Sequence, residues 1–182
     1  MLKRLAVILL FIAGLTGTLR AAALLVPMDD TQTDHLKAYG LVYKALEAGH
    51  QAQWLLNYRG GSFLIAYAQD VVDNALLMGV ATEKVTTGQV ADIYRTIEAE
   101  NMERVELEKA PSIAVYSPPT LQPWDDAVTL ALTYAEIPYD VIWDEDVLAG
   151  KLEDYDWLHC HHEDFTGQYG KFYAAFRNQL WY

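Results

Sequence analysis

The order strand, polar loop, helix, strand between Ala23 and Asn57 limits the fold more than any other feature of the chain. Ala23 to Met28 (Ala-Leu-Leu-Val-Pro-Met) is a short apolar run, as expected of a buried strand. Asp29-Asp30-Thr31-Gln32-Thr33 is polar. Thr33 or Asp34 can cap a helix in which Leu36, Tyr39, Val42, Tyr43 and Leu46 recur at helical spacing. Gly49 sits where a helix end favours glycine. Ala52 to Asn57 then reads as a second strand. A helical crossover between two strands predicts parallel neighbours.

The same order returns later. Ser112–Tyr116 reads as a strand and Ser117–Pro123 as a stiff loop. Trp124–Glu136 reads as a helix, with Asp125 and Asp126 favourably placed in its first turn. Tyr139–Trp143 is a further strand, Asp144–Leu152 an acidic helical stretch, and a last strand leads through Trp157. The sequence thus predicts an α/β fold, a mainly parallel sheet flanked by helices and built from two β-α-β units. Strands are expected near 24–28, 52–57, 112–116, 139–143 and 156–161, and helices near 34–48, 88–100 and 124–136. Between the two β-α-β runs the sequence predicts a short strand at Phe63–Tyr67, a helix at Gln69–Met78 and an alternating segment at Glu103–Glu108. The joint falls at Ala110-Pro111, giving units 24–110 and 111–182.

The first 23 residues read differently. Lys3 and Arg4 precede the apolar run Leu5–Leu15, and Ala21-Ala22-Ala23 follows. A positive start, a short apolar core and small residues at the end predict a secretory signal peptide over 1–23. The mature chain is expected to start between Ala21 and Leu25, in the periplasm or outside the cell. The alternative is an uncleaved anchor, the only route by which a membrane enters this reading. One cysteine excludes an intrachain disulfide, so stability must come from a core. The 52% hydrophobic content, with five Trp and twelve Tyr, supplies one. A net charge of −12 argues against nucleic acid as a partner.

Chemistry concentrates in Asp156 to Gly170. Three of the five histidines and the one cysteine lie here, beside Glu163-Asp164. In a strand, Trp157, His159 and His161 share one face, and Leu158, Cys160 and His162 the other. Were the strand central in a parallel sheet, its start would be buried on both faces. Its end would open into the crevice where α/β proteins bind ligands. His161 and Glu163 are therefore candidates for acid/base catalysis, and His162 and Asp164 for ligand binding. His159 and His161, two apart, could face one divalent metal, the cofactor such a set would hold. A polar loop that only caps the next helix is the plain alternative. Cys160 lies within an apparent strand, where a lone cysteine usually serves as a small hydrophobe.

A second cluster is Asn57 to Phe63. Gly60 and Gly61 allow close backbone approach, and Arg59 can hold an anion. With Asp29 and Asp30 of the first loop, these residues form the remaining ligand-binding candidates. A plain turn with a surface arginine is the alternative.

Three segments carry a resemblance. They are Pro27–Lys37, Asn57–Phe63 and His161–Gly170. With them, the chain resembles the N-terminal part of exported bacterial proteins labelled asparagine synthetase B-like. Its second unit, through Ile113–Tyr116, Tyr139–Asp144 and Asp154–His159, is similar to the opening of class I glutamine-amidotransferase-like, flavodoxin-like domains. The resemblance implies that fold and a longer protein, so the chain is expected to be an N-terminal fragment. Aromatic residues along the helix from Gln168 also suggest further strands after Tyr182. The synthetase itself uses a cysteine after the initiator methionine and an S-G-G-x-D-S loop for ATP. Position 2 here is Leu2, and Gly60-Gly61-Ser62 does not match that loop.

Two functions stay open at this level. One is an exported enzyme, hydrolytic or amidotransferase-like, with its site at the strand ends. The other is a non-catalytic envelope module that binds a small molecule or a protein partner.

Overall fold

The structure is a computed structural model that describes residues 21–117, 127–160 and 168–180. Its contacts divide the chain into two compact units, one ending at Glu108 and the other beginning at Lys109.

The first unit contains strands β1 (Ala23–Val26), β2 (Ala52–Leu56), β3 (Phe63–Ala66), β4 (Glu83–Val85) and β5 (Glu103–Leu107), with helices α1 (His35–Glu47), α2 (Gln69–Met78) and α3 (Thr87–Ala99). The strands form one sheet in the order β4-β1-β3-β2-β5. Every pairing in it is antiparallel. This corrects the expected mainly parallel sheet. β1 and β2 are not neighbours, because β3 lies between them and pairs with both. The crossover helix α1 leaves a gap one strand wide, and the glycine turn after β2 sends the chain back into it. The result is a split β-α-β arrangement, extended by α3 and β5.

Both faces of this sheet are covered. Leu24, Val26, Phe63 and Ile65 pack with Ala38, Leu41, Val42 and Ala45 of α1 and Val71 and Ala75 of α2. Ala23, Leu25, Leu55 and Leu64 pack with Ile93 and Ile97 of α3. Alternation sends successive β1 residues to opposite layers, and both layers are apolar. That is why β1 reads as an unbroken hydrophobic run. The sheet's two edges, β4 and β5, carry Glu83, Lys84, Glu103, Arg104 and Glu106, which discourage edge-to-edge pairing. Side chains cap the starts of α1 and α3. Asp34 accepts a hydrogen bond from the Lys37 amide (3.0 Å). Thr86 and Gln89 cap each other reciprocally at α3.

The second unit contains strands β6 (Ile113–Tyr116), β7 (Asp140–Ile142) and β8 (Trp157–Cys160), with helices α4 (Ala127–Ala135), α5 (Asp144–Leu148) and α6 (Gln168–Phe176). Here the sheet is parallel, in the order β7-β6-β8. Among the described residues β8 is therefore an edge strand, and β6 is the central one. Ile113, Ala114 and Val115 of β6 are buried, whereas Trp157 and Leu158 of β8 are 43% and 37% exposed. Asp156 fastens the amino-terminal ends of β6 and β8. Its carboxylate accepts from the Ser112 amide (2.9 Å) and from Lys109 Nζ (2.6 Å). Among the described residues, no helix is long and apolar enough to cross a membrane.

Candidate functional site

The two clusters singled out in the sequence lie in different units. Asp29, Asp30, Arg59, Gly60 and Gly61 belong to the first. There the chain turns between β2 and β3 through a run of left-handed backbone, with φ of 65° at Asn57, 46° at Arg59, 82° at Gly60 and 90° at Gly61. A side chain at Gly60 would place its Cβ 2.3 Å from the Met28 carbonyl oxygen. Glycine is required at that position by contact as well as by conformation. The close approach it permits is to the protein's own loop after β1.

Arg59 does hold anions, and they are internal carboxylates. Its Nε donates to Asp29 Oδ2 (2.6 Å) and its Nη1 to Glu83 Oε1 (2.8 Å). Nη2 donates to Thr31 Oγ1 (3.3 Å). The Arg59 hydrogen bond, followed by that from Thr31, holds the Asp29 carboxyl far below the usual carboxylate range. The same pairing with Asp29 keeps the guanidinium still more firmly protonated. Ser62 is fully buried; it donates to the Arg59 carbonyl (3.0 Å) and accepts from the Met28 amide (3.3 Å). Buried Gln32 donates to the Pro27 carbonyl (3.0 Å) and accepts from the Ala81 amide (3.0 Å). These bonds clamp the loops after β1 and β2 to each other and to β4. Gly60-Gly61-Ser62 leads into a strand, so no helix start follows it to receive a phosphate. Asp30 is exposed beside this clamp.

The second cluster follows β8. His161, His162, Glu163 and Asp164 lie outside the described residues, as does the proposed pairing of His159 with His161. His159 and Cys160 are described, and both are half-buried at the carboxyl end of β8. His159 aligns with Val115, and Cys160 with Tyr116 at the end of β6. The Trp157 and His159 rings lie 6.4 Å apart on their shared face. Among the described residues, no group of three or more His, Cys, Asp or Glu is placed to hold a metal ion.

A cavity lies at this end of the sheet. Its volume is about 420 Å³, and Tyr116, Asp144, Val147, Leu148, Leu152 and Leu158 line it. Leu158 and Tyr116 sit on the face shared with Cys160. The Tyr116 hydroxyl donates to the Asp144 carboxylate, and the Tyr116 ring stacks on Trp143 at 4.7 Å. Thus the end of β6 and the start of α5, which follows β7, contribute a phenol and a carboxylate to the rim of an apolar hollow. The sequence reading missed Tyr116 and Asp144. Tyr116 ends β6 and Asp144 follows β7 by two residues, a positional signal that could have found them.

Comparison with family models, with curated proteins and with solved structures finds no match to this chain.

Proposed function

We propose that this is an exported α/β protein whose second unit binds a small polar molecule at the carboxyl edge of its parallel sheet. The observation that carries this reading is the cavity beside β6. The flanking strands β7 and β8 leave β6 in opposite directions, and in open parallel sheets that reversal marks the ligand crevice. An apolar hollow of a few hundred Å³ with a few polar groups at its rim is the usual form of such a site. Tyr116 and Asp144 supply two of those groups. The chain carries His161, His162, Glu163 and Asp164 directly after β8, and these are the proposed remainder. His161 and Glu163 are the proposed acid/base pair if the site is catalytic.

Asparagine synthesis of the ATP-dependent kind is not proposed. Leu2 stands where that enzyme has its nucleophilic cysteine, and Gly60-Gly61-Ser62 is part of an internal turn. The resemblance to amidotransferase-like domains supports the choice of an amide or amino acid as ligand, with a divalent cation as the proposed cofactor.

Thermal melting of the protein with zinc chloride, L-glutamine or L-asparagine tests this. A probe at about 100 times its dissociation constant should stabilise the protein by about 2.7 kcal/mol. The shift should vanish in the His161→Ala, Glu163→Ala double variant. No shift with any probe, or an equal shift in the double variant, contradicts the assignment.

A further inference from the structure

The structure distinguishes among three bonds at which an export signal could be removed, and the inference rests on the exported reading given above. By small-residue pattern alone, Ala21-Ala22-Ala23 favours a cut after Ala23, which would leave Leu24 first. The sheet argues otherwise. The Ala22 amide donates to the Val85 carbonyl (2.8 Å), and the Ala22 carbonyl accepts from the Tyr67 amide (3.2 Å). Ala23 is aligned with Ala66 on one side and Val85 on the other, and it is buried in the layer under α3. Leu24 has no exposed surface at all. A cut after Ala23 would delete both ladder bonds and put an α-ammonium on a fully buried residue, which is costly without a partner. A cut after Ala22 would lose the same two bonds.

We propose that processing cuts the bond between Ala21 and Ala22, so that the mature chain begins at Ala22. The new ammonium still donates to the Val85 carbonyl, now as a charge-assisted bond. Ala22 is exposed, so the charge keeps its water. It also opens onto a cleft of about 220 Å³ that Ala22 shares with Gln51, Gln53 and Glu106. The acidic and amide oxygens there suit a positive terminus. The cleft floor is small because Ala23 and Ala66 face it, leaving room for the terminus beside α3.

The test is the intact mass of protein expressed with its own leader in a Gram-negative bacterium and taken from the envelope fraction. The expected mass is that of residues 22–182. A processed chain starting at Ala23, Leu24 or elsewhere overturns the inference while leaving export standing. Cytoplasmic protein retaining residues 1–21 sinks the exported reading itself, and this inference with it. A second arm compares purified chains 22–182 and 24–182. The shorter should melt about 4 °C lower or more, and equal melting would overturn the argument from the ladder.

Discussion

At the scale of single residues, the turn after β2 is the most constrained place in the chain. Four left-handed residues fall within Asn57–Gly61, and two of them, Asn57 and Arg59, are not glycine. Such backbone persists only where its surroundings enforce it. Here Arg59 is gripped at both ends, by Asp29 and Glu83 through the side chain and by Met28 and Ser62 through the carbonyl. Gly60→Ala should therefore cost about 2 kcal/mol or more, because the added methyl meets the Met28 carbonyl and the positive φ resists it. Urea unfolding of the two proteins checks this, and a loss below about 0.5 kcal/mol would be the range of an ordinary surface site. In the sequence, the same residues read as ligand binders or as a plain turn. The residue types allow both, since a glycine pair and an arginine offer close approach and charge to any anion. What selects the internal role is the position of Asp29 and Glu83, separated from Arg59 by 30 and 24 residues.

At the scale of elements, helices were more legible than sheet topology. α1 and α3 lie where periodicity and capping residues place them, and α4 falls within the expected 124–136, of which Trp124, Asp125 and Asp126 lie outside the described residues. The pairing of strands was not legible, because a β-α-β order fixes the direction of β1 and β2 without fixing what lies between them. The segment Phe63–Ala66 decides that, and in sequence it is only a short apolar run. Among the described residues of the second unit no strand is inserted, and the expected parallel pairing forms. There Asp156 locks the amino ends of β6 and β8. Its hydrogen bond from Lys109, then those from Ser112, lower the carboxyl from 3.8 to about 2. A lowered folded value means that the ionised form is favoured in the folded state. The contribution is therefore present above about pH 4 and is lost as pH falls towards about 2. Asp156→Asn should remove that part of the acid sensitivity of the second unit. Melting curves between pH 2 and pH 6 that keep the same slope in the variant would contradict the role of this carboxylate.

At the scale of the whole molecule, the chain joins two units of different construction. The first closes both faces of an antiparallel sheet with its own helices and guards both edges with charge. The second is a small parallel sheet whose edge strand β8 is largely uncharged and carries the chain's one cysteine at its end. The proposed function belongs to that second unit, which holds the cavity at the ends of its strands. Its central claim is that the end of β8 opens onto a ligand crevice. The lone thiol of Cys160 tests this most directly, through its rate of alkylation by iodoacetamide in the native protein. The thiol should react without unfolding, and saturating zinc chloride or L-glutamine should slow the reaction by about tenfold, which is 1.4 kcal/mol of protection. A thiol that reacts only after denaturation, or at the same rate with every probe, would contradict the account.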